Sequence, residues 1–233
     1  MRDDARCALL ASLRAKVRAL ERTGAPPPPL ATGCPAFDGL LPEGGVASGA
    51  VHELSGSAKE AFAAALAARA LAQGAALLLW CEDCSRSAHR GRLYGPGLAR
   101  FGIAPARLWL LACRDRREML QALEEALAFP LPLCAVGELD VLDFTASRRL
   151  QLAAEKGGGM GLVLVERAPG PSAARLRLRI DPEPGGEPGL WRVELWRVKG
   201  GVPARLRMRW DETALAFAAL PGLPPPVAAA DGD

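Results

Sequence analysis

The chain has 233 residues, of which 50% are apolar and 24% are charged, and its formal net charge is +3. This length and apolar content are enough for one α/β domain with short appendages. No apolar run approaches the ~20 residues of a membrane span, and the acidic N-terminus lacks the pattern of a signal peptide. We therefore expect a cytoplasmic protein without membrane contact, whose weak positive charge permits nucleic acid binding without requiring it.

The first 29 residues predict a helix followed by a linker. Apolar residues recur at helical spacing between residues 3 and 22, and the prolines at 26–29 make a stiff spacer. An isolated helix of ~20 residues is not stable alone in water, so its apolar stripe must pack on its own domain, a second copy or a partner. The spacer favours a partner, which makes the stripe a candidate docking surface: Leu9, Leu13, Val17 and Leu20.

A strand, a glycine turn and an alanine-rich helix follow at residues 51–55, 56–60 and 61–73. This is the layout of a nucleotide-binding loop, whose complete form is G-x-x-x-x-G-K-[ST]. Gly56 and Lys59 remain, but the second glycine is missing and Glu60 stands where a magnesium-binding hydroxyl belongs. The sequence predicts a vestigial loop. Lys59 could still hold a phosphate, but the loss of backbone donors favours a lysine that points to water.

Four apolar runs, at residues 75–80, 107–112, 131–136 and 161–165, are typical of buried parallel strands. Helical segments at 87–101, 115–129 and 143–156 separate them, which predicts a parallel sheet covered on both faces. Alternating segments near 175–180, 191–198 and 204–210 predict antiparallel strands that extend the sheet. We expect a core at residues 30–212 and a disordered tail at 213–233.

Several of these segments resemble the recombinase RecA. The resemblance includes Thr32-Gly33, Gly44-Gly45 and Val51-His52-Glu53, and it continues at Trp80-Cys81-Glu82, where RecA-like ATPases carry a catalytic glutamate. It implies a RecA-like P-loop fold. The chain departs from RecA where ATPases need a magnesium acid, since Gly137 follows the third apolar run and Glu138 comes one place late. It also has Glu166 where RecA has a glutamine that senses the γ-phosphate.

Other segments are similar to a narrower family, ImuA of bacterial translesion synthesis cassettes. They are residues 13–21, residues 145–155 (TASRRLQLAAE) and residues 191–195. The resemblance implies a damage-inducible accessory protein of error-prone translesion synthesis. It also implies two partners, ImuB, which is a Y-family polymerase homologue without catalysis, and an error-prone replicative-type polymerase. RecA is a further candidate partner.

The remaining candidate sites have simple structural alternatives. Cys81 and Cys84 form a C-x-x-C pair with His89 nearby, but no second close pair follows, so we predict buried or strand-end thiols and no metal site. His52 is expected to be a hydrogen-bonded core residue. Trp191 and Trp196 lie on opposite faces of one strand, one in the core and the other at the surface.

Basic residues could contact DNA. The candidates are Arg148, Arg149 and Arg167, while alternation alone explains Arg175, Arg177 and Arg179 as a row facing solvent. Because the charge excess is small, we expect weak or indirect DNA binding.

The sequence therefore favours a non-catalytic RecA-like interaction protein without a cofactor. The retained vestigial residues are Gly56, Ser57, Lys59, Glu60 and Glu82. Two alternatives remain open: a RecA/RadA-like ATPase with an atypical loop, and a cell-division inhibitor of degenerate RecA-like ancestry.

Overall fold

The computed structural model describes residues 27–85, 91–168 and 170–220. They form a single nine-stranded sheet with the order β3-β2-β4-β5-β1-β6-β7-β8-β9. The strands are β1 (Ala50–Ser55), β2 (Leu77–Asp83), β3 (Leu108–Cys113), β4 (Leu133–Leu139), β5 (Met160–Val165), β6 (Leu176–Pro182), β7 (Leu190–Val198), β8 (Ala204–Asp211) and β9 (Ala216–Leu220).

The named helices are α1 (Pro35–Asp38), α2 (Lys59–Ala72), α3 (Gly95–Ala99), α4 (Arg116–Ala128) and α5 (Phe144–Gly157), with a short 3-10 helix at Pro105–Arg107. Aspartates fix the starts of α4 and α5. Asp115 accepts a hydrogen bond from the backbone N–H of Glu118, and Asp143 accepts one from that of Ala146. Each bond satisfies one of the N–H groups that a helix N-terminus leaves without a partner.

Strands β1 to β6 run parallel to their neighbours, whereas β6 to β9 pair antiparallel. The protein is thus an α/β protein with a mainly parallel sheet, flanking helices and antiparallel C-terminal strands, consistent with a RecA-like fold. One apolar layer lies between the sheet and α2. The other lies between β1, β2, β4 and β5 on one side and α4 and α5 on the other.

The prediction that all four apolar runs are buried is wrong for β3. This strand is the edge of the sheet, and Trp109, Leu110 and Leu111 are all exposed. An apolar run does not reveal whether its strand has one neighbour or two, since that depends on the pairing of distant segments.

Three other boundaries differ from the predictions. Strands β2 and β4 extend further toward their carboxyl ends than the apolar runs do. Within the described part of the helix predicted at 87–101, only α3 is helical, and residues 91–94 precede it outside any helix. The tail does not begin at residue 213, because β9 pairs with β8 and extends the core to Leu220.

The predicted N-terminal helix with Leu9, Leu13, Val17 and Leu20 lies outside the described residues, as do His89 and residues 221–233. Among the described helices, none combines the length and the apolar composition that crossing a membrane requires.

Candidate functional site

The candidate site lies where β2, β4 and β5 end, next to the first turn of α2. In open α/β sheets, ligands bind at the carboxyl ends of parallel strands. A cavity of about 320 Å³ opens at this position. Its lining includes Lys59, Glu60, Glu82, Arg92, Glu138 and Glu166. The structure therefore brings the vestigial loop together with acidic residues from three strand ends.

The turn between β1 and α2 is held tightly against β6. Gly56 has a φ of +93°, a conformation that side chains rarely adopt. A Cβ at this position would lie 2.1 Å from the carbonyl oxygen of Ile180. Gly56 is therefore required by a close approach of two backbones, whether or not a phosphate binds.

Two backbone donors of this turn, those of Ser57 and Ala58, are already used inside the chain. The N–H of Ser57 donates to Asp181 Oδ1 at 3.0 Å, and the hydroxyl of Ser57 donates to the same oxygen at 3.0 Å. The N–H of Ala58 donates to the carbonyl of Ile180 at 3.0 Å. A phosphate-binding loop needs such N–H groups to point at the ligand. Here two of them bond to β6.

The prediction that Lys59 points to water is wrong. Its side chain is only 6% exposed, and its Nζ lies 3.2 Å from Glu60 Oε1 and 3.4 Å from Glu166 Oε1. The ammonium group is thus neutralised by the two carboxylates that replace the loop hydroxyl and the RecA glutamine. Sequence spacing could not show this, because Glu166 is far from Lys59 along the chain.

Glu82, whose sequence context resembles that of the catalytic glutamate in RecA-like ATPases, is buried near the end of β2. Its Oε1 accepts a hydrogen bond from the backbone N–H of Leu93 at 2.6 Å, and its Oε2 lies 3.5 Å from Arg92. A general base must be able to reach the water that it activates. In this structure Glu82 holds the segment before α3 instead.

Glu138, which comes one place after the position where an ATPase needs a magnesium acid, also lies at the site. Glu138 lines the cavity, and its Oε1 accepts a hydrogen bond from Trp80 Nε1 at 3.2 Å. Gly137 belongs to β4 and faces α4, where an added Cβ would lie 2.5 Å from Leu123 Cδ1. Strand alternation therefore turns Glu138, and not residue 137, toward the site.

Among the residues that the structure describes, four carboxylates and two basic side chains, those of Lys59 and Arg92, line the cavity. A nucleotide triphosphate is itself strongly negative, so this surplus of carboxylates opposes its entry. Sequence reasoning missed Asp181 and Arg92, because neither belongs to a motif and both reach the site only through folding.

The three candidate DNA-contact arginines differ in the ion pairs that they form. Arg149 pairs with Glu124 of α4, and Arg167 pairs with Asp140. Arg148 is exposed on α5 and forms no ion pair among the described residues.

The basic row before and within β6 does not face solvent as predicted. Arg175 pairs with Glu43, and Arg177 pairs with the buried Glu53 at 2.8 Å. Arg177 also donates to the carbonyls of Ala168 and Gly170, so it fixes the short loop after β5. Arg179 is half-exposed, whereas the side chains of Arg175 and Arg177 are much less exposed.

His52 is confirmed as a core residue. Its Nε2 lies 2.8 Å from the carbonyl oxygen of Ala47. Burial lowers the pKa of His52 to about 4, the hydrogen bond to Ala47 raises it in part, and the charge of Arg175 lowers it. His52 is therefore neutral at physiological pH.

The paired tryptophans behave as predicted, since Trp191 is buried and Trp196 is 44% exposed. Cys81 and Cys113 are buried, whereas Cys84 is exposed. Burial, with Cys113 beside it, raises the pKa of the Cys81 thiol far above its ordinary value. In the described part of the chain, no group of three or more His, Cys, Asp or Glu side chains could hold a metal ion.

Comparison with known proteins identifies relatives at the level of the whole chain. No family model matches. The protein ImuA in two strains of Caulobacter vibrioides is 39% identical to this chain, and the match covers 78% of the chain and 83% of the relative. Identity of this extent over most of both proteins shows that the chain belongs to the ImuA family.

Proposed function

We propose that this protein is a non-catalytic accessory protein of damage-inducible, error-prone translesion synthesis. Its role is to bind other proteins of the mutagenesis machinery through a RecA-like scaffold. Family membership supports the biological process. The bonding of two phosphate-loop donors, the N–H groups of Ser57 and Ala58, to β6 supports the absence of catalysis, and this is the single observation that carries the proposal.

The electrostatics of the site support the same conclusion. Binding a triphosphate would require the loop to break its bonds to Ile180 and Asp181 and Lys59 to leave its carboxylate partners. The phosphates would then meet Glu60 and Glu166 at close range. Removing established hydrogen bonds and adding like-charge contacts both oppose binding.

The proposed partners are an ImuB-type polymerase homologue and the error-prone replicative-type polymerase complex, with RecA as a further candidate. The test is co-purification of the tagged full-length protein with each of the three, at matched concentrations. Retention of the ImuB-type protein supports the proposal. Loss of all three partners, under conditions in which the protein is folded, would contradict it.

We further propose that the N-terminal apolar stripe is the docking element. Leu9, Leu13, Val17 and Leu20 follow each other at spacings of four, four and three residues, the pattern by which a helix enters a partner's groove. The prolines at 26–29 would form a stiff connection between such a helix and the core.

Direct contact with DNA is proposed to be weak and sensitive to salt. The chain carries only three more basic than acidic residues. Each phosphate contact should contribute about −0.7 to the slope of log affinity against log salt on single strands. Of Arg148, Arg149 and Arg167, the exposed Arg148 requires no ion pair among the described residues to break before it contacts a phosphate.

One observation favours a second candidate function, an ATPase with an atypical loop. Glu82 and Glu138 both line the cavity, so carboxylates that could serve as a base and as a magnesium ligand are present. This reading requires the turn at Gly56–Glu60 to open, and phosphate release that depends on Lys59 would support it.

A further inference from the structure

The face of β6, β7 and β8 that turns away from α2 carries a regular array of arginines. Leu178, Val193 and Met208 pack toward α2 on the other face of these strands. Alternation then places charged residues on the open face. Its arginines, which we call the arginine face, are Arg179, Arg192, Arg205, Arg207 and Arg209.

Pairing between the strands brings these side chains into one surface. Arg192 lies opposite Arg207, and Arg205 lies opposite Glu194. Glu194 in turn lies opposite Arg179. The arginine face therefore extends across three adjacent strands, β6, β7 and β8.

Three of the five arginines are more exposed than the carboxylates with which they pair, whereas Arg207 is 29% exposed. The side chains of Arg179, Arg192 and Arg205 are 46–51% exposed, whereas those of Asp181, Glu183 and Glu194 are 20–32% exposed. The five arginines also exceed in number the four carboxylates of this face, which are Asp181, Glu183, Glu194 and Asp211. An approaching ligand meets positive charge first, which suits a polyanion.

An exposed aromatic ring adjoins the array. The register between β6 and β7 shifts so that Trp196 and Arg197 together oppose Arg177. Such a bulge bends the strand and leaves the extra residue unpaired. The ring of Trp196 is 44% exposed, and its Nε1 donates to Glu194 at 3.1 Å.

We propose that the arginine face binds the backbone of a single-stranded nucleic acid while Trp196 stacks on a base. Along β8, each arginine of the series Arg205, Arg207 and Arg209 lies about 6.8 Å from the next one. This spacing is close to the distance between neighbouring phosphates in an extended single strand. Basic tracks combined with stacking aromatics are the usual means of binding single strands. An acidic peptide would satisfy the arginines but would leave the exposed ring without a role.

This inference rests on the proposed weak DNA contact and assigns it to a surface. The test measures anisotropy of a fluorescein-labelled oligothymidine with the full-length protein at several salt concentrations. Arg205→Ala/Arg209→Ala should weaken binding and make the log–log salt slope shallower by about 1.4, the value of two phosphate contacts. Arg117→Ala, an exposed change on α4, is the matched control and should leave both unchanged.

Trp196→Ala should lower affinity by roughly 5- to 100-fold at an unaltered salt slope, as expected for loss of one stacked base. Trp196→Phe should retain most of the wild-type affinity. Circular dichroism melts of each variant confirm folding.

The outcomes separate two failures. If the wild-type protein binds no oligomer, both the proposed DNA contact and this inference fail. If binding is lost only in Arg149→Ala/Arg167→Ala, the DNA contact stands and the arginine face is wrong. A poly-glutamate competitor that displaces the oligomer as well as unlabelled oligothymidine does, with no effect of Trp196→Ala, would assign the surface to an acidic protein segment instead.

Discussion

Ser57 and Asp181 are joined by two hydrogen bonds of 3.0 Å, from the backbone N–H and from the hydroxyl, to the same carboxylate oxygen. Burial raises the pKa of Asp181, but hydrogen bonds from Arg179 and Ser57 outweigh it and hold the pKa below its usual range. A negative oxygen therefore lies at the turn where a nucleotide-binding protein would hold a phosphate. In this protein the anion at the turn is the carboxylate of Asp181.

Replacing Asp181 should free Ser57 without opening the whole turn. Asp181→Ala should lower the free energy of unfolding by about 1 kcal/mol and remove hydrogen-exchange protection at the Ser57 amide. The Ala58 amide should stay protected, because its acceptor is the Ile180 carbonyl.

Asp181→Asn is the matched control, since its amide oxygen can still accept from Ser57. Equal exchange at Ser57 in the alanine and asparagine variants would contradict this account. Because the pKa of Asp181 is lowered in the folded state, its contribution to stability is present above the unfolded pKa and is lost as pH falls through the folded one.

Gly56→Ala should destabilise the protein far more than an equivalent change elsewhere. The new Cβ would meet the Ile180 carbonyl at 2.1 Å in a left-handed conformation, so a loss of about 3 kcal/mol or more is expected. Gly74→Ala is the control, because Gly74 has a φ of +110° but open space around it. If denaturant unfolding gives the two variants equal losses of unfolding free energy, β6 moves at this point with little energetic cost and the account is contradicted.

His52 should make stability depend on pH between about 4 and 6.5. Its pKa is lower in the folded protein than in the unfolded chain, so the unfolded state binds more protons in that window. Stability therefore rises with pH there, and lowering the pH from 7 to 5 should cost about 2 kcal/mol. The measurement is urea unfolding at both pH values, with His52→Gln beside the wild type. An equal loss in His52→Gln would assign the pH dependence to other groups.

Restoring one residue of the phosphate loop should not create a nucleotide site. Glu60→Thr returns the missing hydroxyl, but the N–H groups of Ser57 and Ala58 remain bonded to β6. Isothermal titration with Mg-ATP should show no binding in this variant. Micromolar affinity would mean that Glu60 alone blocks the site.

Changing Leu13 and Val17 together to Asp tests the N-terminal stripe. If the stripe is a docking element, the melting temperature should barely change, while co-purification with an ImuB-type protein, RecA or a second copy is lost. Packing on its own domain would instead give a large drop in melting temperature with these changes. Arg14→Ala/Arg18→Ala, on the other face of the same predicted helix, is the control.

The sheet could be predicted from local pattern, because apolar runs and strict alternation distinguish buried parallel strands from half-exposed antiparallel ones. Eight of the nine strands lie where those patterns indicated, whereas β9 lies in the segment predicted to be a tail. The exposure of Trp109 could not be predicted, since an edge strand and a central strand have the same composition when only pairing order separates them.

The sequence identified most residues of the candidate site, but not the hydrogen bonds and ion pairs that join them. The turn at Gly56 and the carboxylate of Glu82 could be found from spacing alone. The burial of Lys59 and the anion supplied by Asp181 depend on side chains more than 100 positions away. The direction of Glu138 depends on where β4 ends, and sequence patterns define element ends poorly.

The most direct test of the central claim is steady-state phosphate release from Mg-ATP by the purified full-length protein, with and without single-stranded DNA. The wild type and Lys59→Ala should give the same background rate, because the phosphate-loop donors are bonded to β6 and Lys59 is held by Glu60 and Glu166. Turnover at an ordinary ATPase rate that disappears in Lys59→Ala, with the variant still folded, would contradict the account.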